Sequence, residues 1–284
     1  MRTPNVEELI RNMPKSLGSY APVLDEIEAA LESPQCSLVT IGEAIERDPD
    51  LTARLLRLGN SAFYGYSTRL STVAEALSLI GIQQVQDLIL ASSIIEHFKG
   101  LPADFLDMES FWRHSLACGI AARLLAMEKR LPKSEKFFVA GLLHDVGRLV
   151  LLMQAPELAR KVVERYRGGG ILLQEAEREV LGYDHQAIVH ALLRHWKFPD
   201  FILQAIGHHH ELMPGVIPSL ESIVVHFADY LVSAMQIGTS GEQFVPPVDS
   251  RAWDLLGLTP AGLTSLAAAI DEQMEAVEAA FLVA

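Results

Sequence analysis

Residues 134–151 read SEKFFVAGLLHDVGRLVL. The stretch is expected to form one helix beginning near Ser134, with apolar residues on both sides, as in a helix buried within a bundle. His144 and Asp145 interrupt that apolar surface. A buried charge is costly unless it is paired or bound to a metal, so the doublet needs a partner. Adjacent helical residues point about 100° apart. His144 and Asp145 therefore do not serve one face equally, but both reach a cavity shared with neighbouring helices. Imidazole supplies a directed nitrogen, and a carboxylate can bridge two cations. Gly141 and Gly147 let another helix or a ligand approach the backbone closely.

Outward from this stretch, almost every segment reads as helix. Thr40 with Glu43 fits a capping box, and Asp48-Pro49 fits an N-cap followed by proline at the first helical position. Leu51, Leu55 and Leu58 form the buried stripe of a helix ending at Gly59-Asn60. Thr72 with Glu75 opens another helix, punctuated at Gly81. From Ile82 to Phe98, apolar positions 82, 85, 88, 89, 95 and 98 recur at helical spacing. Thr259-Pro260 starts a closing helix with apolar residues at 263, 266, 270, 274, 277 and 281. Alternating strand-like runs bounded by tight turns are nearly absent, so the fold class is all-α. Breaks fall at Lys99-Gly100-Leu101-Pro102, at Gly168-Gly169-Gly170, and from Gly238 to Pro247, the loop expected to be mobile.

The chain has 284 residues and a net charge of −13, with half its residues apolar. That composition buries a sizeable core. Its acidic balance argues against nucleic-acid binding, which needs a basic footprint. No apolar run is expected to reach the roughly 18–20 residues that span a bilayer, and the first residues lack the apolar region of a signal peptide. Cys36 and Cys118 cannot support a disulfide framework and read as small hydrophobes, which suits a reducing cytoplasm.

Further metal-ligand types lie on separate helices: His114, His185, the run His208-His209-His210, and Asp229. Helical bundles build metal sites from ligands projecting inward on several helices. A mixed His and carboxylate set suits Fe, Mn, Co or Zn better than Mg or Ca.

The order His114, His144-Asp145, Asp229 resembles the metal-binding signature of the HD superfamily of phosphohydrolases. The likeness is closest to its HDOD branch, over about residues 15–212. IGEAIERDPDLTARLLRLGNSAFYGYSTRLSTVAEALSLIGIQQVQDLIL (41–90) looks like the first half of that family. FWRHSLACGIAARLLA (111–126), FFVAGLLHDVGRLVL (137–151), GYDHQAIVHALLRHW (182–196) and AIGHHHE (205–211) follow in the family's order. The resemblance implies an HD-type helical bundle with an N-terminal helical subdomain. It divides the chain into residues 1–100, an HD-type half at 101–237, and a loop with closing helix at 238–284.

The resemblance also implies a divalent metal held by His114, His144, Asp145 and Asp229. His185, His208 and His209 stand where the related HD-GYP phosphodiesterases of cyclic di-GMP carry ligands for further metals, so the site is expected to be mononuclear or dinuclear. The Gly-Tyr-Pro of those enzymes is absent after Glu211, and Arg148 replaces the lysine of HD-x-G-K. The expectation is a cytoplasmic signalling module that acts by binding a protein partner or a nucleotide or phosphate ligand, away from membranes. The alternative is a phosphohydrolase of a nucleotide or cyclic dinucleotide, with Asp145 and Arg148 catalytic and the Arg148 fork holding phosphate. His97, His190, His195 and His210 are expected to be hydrogen-bonded structural residues, and His226 to bond Asp229 along one helical face. Asn60 and Ser61 are expected to close their helix through local hydrogen bonds.

Overall fold

A computed structural model describes residues 3–14, 21–33, 36–101, 106–210 and 218–282. Pro102 and the stretch from Glu211 to Gly215 lie outside the described residues. Among those described there are helices and no strands. The first six are α1 (Val6–Arg11), α2 (Ala21–Glu32), α3 (Leu38–Glu46), α4 (Pro49–Gly59), α5 (Val73–Ile80) and α6 (Ile82–His97). Then come α7 (Met108–Glu128), α8 (Ser134–Leu143), α9 (Val146–Gln154), α10 (Pro156–Arg167) and α11 (Leu173–Leu181). The last are α12 (His185–His195), α13 (Asp200–Ile206), α14 (Leu220–Met235), α15 (Ser250–Leu256) and α16 (Pro260–Phe281).

The chain divides into two compact units, one of residues 1–15 and 100–267, the other of residues 16–99 and 268–284. Long-range hydrogen bonds account for the placing of the chain ends. In the larger unit, Tyr183 Oη donates to Pro4 O at 2.8 Å and Trp196 Nε1 to Pro14 O at 2.9 Å, which ties the N-terminal residues there. In the smaller unit, Arg54 and Arg57 donate to the carbonyls of Phe281 and Ala279 in the last turns of α16.

In the smaller unit, local chemistry sets the helix ends. Asp48 caps α4 with Pro49 at its first position, and Thr72 and Glu75 form the capping box of α5. For α3 the box is Ser37 with Thr40 rather than Thr40 with Glu43. Ser37 is extended and its Oγ accepts from Thr40 N at 3.1 Å, so the helix starts three residues sooner than the sequence suggested. Asn60 clamps its loop by donating to Leu56 O and Leu70 O and accepting from Leu70 N. Gly81, at φ +97°, separates α5 from α6, whose axes differ by 110°. Ile41, Ile45, Val73, Leu77, Ile89, Ile94, Ile270 and Val277 are buried in this unit.

In the larger unit, α7 and α8 pack with their backbones close. A Cβ on Gly141 would lie 2.5 Å from Cys118 O, so only glycine allows that approach. The helix expected through 134–151 is in fact two: α8 ends at Leu143, and Asp145 leaves helical geometry at φ −101°, ψ 1°. The 21-residue stretch Ser134–Gln154 does reach the length and apolarity of a membrane span, with a mean hydropathy of 1.4 over an 18-residue window, contrary to the sequence expectation. Most of that window (89%) is buried inside the protein, because α8 and α9 pack among other helices.

Candidate metal centre

Five elements of the larger unit bring their polar side chains to one place. His114 lies on α7, the His144-Asp145 pair joins α8 to α9, His185 opens α12, His209 and His210 follow α13, and Asp229 lies on α14. Two donor groups result, one of His114, Cys118, His144 and Asp229, the other of Asp145, His185, His209 and His210. In each group, one ligand atom per residue lies within 4.8 Å of all the others. The groups meet at Asp145. Its Oδ2 is 3.1 Å from His144 Nε2, and its Oδ1 is 2.9 Å from His185 Nε2. Asp229 Oδ1 lies 3.2 Å from His114 Nε2 and 3.8 Å from His144 Nε2.

The imidazoles are held from behind. His144 Nδ1 faces Gly141 O at 2.6 Å, and His209 Nδ1 faces Ile206 O at 2.7 Å. A carbonyl only accepts, so each Nδ1 carries a proton, and Nε2 is the nitrogen that faces inward, able to bind a cation once it is deprotonated. His185 Nδ1 is 2.6 Å from Glu177 Oε2, the carboxylate support common behind metal-ligating histidines. His144 Nε2 and Asp145 Oδ1 are buried and have no hydrogen-bond partner, although they face each other's neighbours at contact distance. Nitrogens that converge on carboxylates need a proton or a metal ion between them. The residues present therefore fit a divalent metal.

The charge balance agrees. Glu177, Asp145 and Asp229 are buried with one guanidinium, Arg148, which leaves two negative charges over. Burial pushes all three carboxyls up, but Arg148 and the imidazoles hold Asp145 and Glu177 below the usual carboxylate range, and His114 and His144 hold Asp229 at about 2. Burial and Arg148 push His185 down, yet Glu177 and Asp145 outweigh them and raise it to about 9. His144 is likewise raised, burial being overcome by Asp145 and Asp229. Protons thus supply the missing positive charge, and a metal ion would displace them. Burial and neighbouring imidazoles lower His209 and His210, which suits neutral nitrogen donors.

The centre opens into a cavity of about 190 Å³ lined by His114, Asp145, Arg148, His210 and Asp229 and by residues of the 238–246 loop. The sequence reading expected that loop to be mobile, but it is tied down at several points. Thr239 N donates to Ser110 O at 3.1 Å, Arg148 Nη1 to Ser240 Oγ at 2.5 Å, and Leu173 N to Glu242 Oε2 at 2.7 Å. Gly238, at φ +64°, lies so near α7 that a Cβ there would be 2.3 Å from Ser110 O. Arg148 also donates to Asp145 Oδ2 at 2.8 Å and Glu177 Oε1 at 3.0 Å. Its Nε and Nη1 are engaged by Glu177, Asp145 and Ser240, so it positions Asp145 and Glu177.

His114, His144, Asp145, His185, His209 and Asp229 come together as a set. His208 does not: it is exposed, while its neighbour His210, read from sequence as structural, takes the inward place. The run follows the end of α13 in a turn, where no helical register fixes which rings point in. His226 bonds His209 O and Asp249 N rather than Asp229. Glu177 had no local signal, since it meets His185 across the Gly182 turn. Cys118, read from sequence as a small hydrophobe, follows His114 by four residues on α7, a spacing that was the signal for it, and its Sγ lies 3.5 Å from His114 Nε2. Burial, with Asp229 and Asp145 nearby, pushes its thiol well up.

Comparison with known proteins agrees with this architecture. Over 190 residues the chain is 27% identical to an uncharacterized protein of Treponema pallidum (strain Nichols), a match covering 66% of this chain and 36% of that relative's length. Among solved structures, an HDOD domain protein of unknown function from Geobacter sulfurreducens aligns with a TM-score of 0.75 at 24% identity, covering 98% of this chain and 97% of that one. A candidate phosphohydrolase from Shewanella amazonensis SB2B aligns with a TM-score of 0.69 at 22% identity, covering 96% of each chain. These structural likenesses establish a shared fold. The HDOD domain model matches residues 17–212, more than half of the sequence, and the chain belongs to the HDOD family.

Proposed function

We propose that this chain is a cytoplasmic regulatory HDOD module that binds a divalent metal (Fe, Mn, Co or Zn) and acts through a signalling protein partner or a bound nucleotide or phosphate. His114, His144 and Asp229 would hold one ion, with Asp145, His185, His209 and His210 offering a second position beside it. The observation that carries the metal reading is the buried meeting of Nε2 lone pairs and carboxylates around Asp145. Regulation is favoured over turnover by the cavity lining. Arg148 is the one Lys or Arg among its described lining residues, and three acceptors already share it. A phosphate group entering there would find Nε and Nη1 of that guanidinium already engaged, which weakens the charge available to a transition state more than it hinders simple binding.

A second reading, a metal-dependent phosphohydrolase acting on a nucleotide or cyclic dinucleotide, is supported by Asp145 facing both donor groups. A divalent metal bound there would supply Lewis acidity toward a phosphoryl oxygen. This chain's own residues would orient it: Glu177 fixes the His185 ring, Gly141 O fixes His144, and Arg148 holds Asp145. Protein loaded with each metal in turn and assayed on bis(p-nitrophenyl) phosphate and cyclic dinucleotides separates the readings. The module predicts tight metal binding with no hydrolysis above the metal-only control. Hydrolysis that Asp145→Asn abolishes would establish the phosphohydrolase instead.

A further inference from the structure

The position of Cys118 on the inner face of α7 gives the first donor group a sulfur. It is fully buried, one helical turn after His114, on the face of α7 that meets α8. The approach of α8 at Gly141 clamps the Cys118 backbone, and His144 follows on the same side, with its Nε2 buried and without a hydrogen-bond partner. Asp145 Oδ2 also lies 3.1 Å from His144 Nε2, but Arg148 shares that oxygen and Oδ1 turns to His185, so among the described residues Cys118 is the further donor grouped with His114, His144 and Asp229.

The distances suit one small ion. Around a tetrahedral ion with bonds of about 2.0–2.1 Å to nitrogen and oxygen and about 2.3 Å to sulfur, neighbouring ligands lie about 3.4 Å (N to O) and about 3.6 Å (N to S) apart. Here His114 Nε2 is 3.2 Å from Asp229 Oδ1 and 3.5 Å from Cys118 Sγ, and His144 Nε2 is 3.8 Å from Asp229 Oδ1. We propose that Cys118 is a thiolate ligand, completing with His114, His144 and Asp229 a four-donor position that selects a thiophilic ion such as Zn²⁺ or Fe²⁺ over Mn²⁺. This rests on the metal reading above. On binding, the metal–sulfur bond forms as the S–H proton leaves to solvent, and the sulfur keeps its oxidation state. A soft ligand among N and O donors shifts selectivity in that direction.

The test is Co²⁺ titration of the whole chain, followed by visible and near-ultraviolet absorption. The expected result is intense d–d bands of a four-coordinate ion together with a near-ultraviolet sulfur-to-cobalt charge-transfer band. Cys118→Ala should lose the charge-transfer band and keep bound cobalt, and Cys118→Ser should do the same. His144→Ala, with its fold checked by circular dichroism, should lose the four-coordinate spectrum. Cobalt bound with no sulfur band in the natural sequence overturns the Cys118 assignment alone. No bound cobalt overturns both the assignment and the metal reading.

Discussion

In the unit of residues 16–99 and 268–284, described buried polar side chains end mainly on backbone carbonyls. Ser92 donates to Leu88 O, Ser93 to Ile89 O, and Arg54 to Phe281 O. In the unit of residues 1–15 and 100–267, buried imidazoles and carboxylates from five segments turn toward one another around Asp145, whereas buried atoms without a hydrogen bond occur in both units. Both units are stacks of helices with apolar cores, so the need for a fold does not explain the difference. A buried cluster of imidazoles and carboxylates costs stability unless its charge is compensated, and a bound cation compensates it. One unit is a scaffold of ordinary kind; the other is built around a ligand.

That contrast breaks if core damage in the scaffold unit alters metal content. Ile270→Ala removes a fully buried side chain there and should cost about 2–5 kcal/mol in denaturant unfolding. Metal per folded chain should stay unchanged. In the other unit, saturating metal at about 100 times its Kd should stabilise by about 2.7 kcal/mol. Hydrogen exchange should register the gain in α7, α8, α12 and α14 but not in α3 to α6, and His144→Ala should abolish it. Glu177→Gln keeps the shape but weakens the support behind His185, so calorimetry should show metal affinity falling about 10- to 100-fold. At the small end, Thr72→Ala removes the cap of α5 and should cost about 1 kcal/mol with no effect on metal.

How much of this was legible in the sequence follows the range of the interactions involved. The ends of α4 and α5 were readable because their caps lie within three residues of what they cap. The start of α3 was misplaced because Ser37 and Thr40 form an equally local box one turn earlier. His144 and Asp145 declared themselves by polarity in an apolar run. The break at Asp145 was hidden in a continuous apolar pattern, and so was the close approach of α9 to α12 at Gly147, where a Cβ would lie 2.1 Å from His185 O. Glu177 and Ser240 were invisible because they reach Arg148 only after distant segments meet. The exchange of His208 for His210 was beyond reading, because three identical residues in a turn carry no pattern.

The central claim is that the donor set around Asp145 holds a divalent metal. Elemental analysis of the whole chain, purified without chelator beside His144→Ala and Asp145→Ala variants of verified fold, tests it most directly. The account predicts close to stoichiometric Fe, Mn, Co or Zn in the natural sequence and its loss in both variants. A stably folded chain that stays metal-free even after loading, or variants that keep their metal in full, would contradict it.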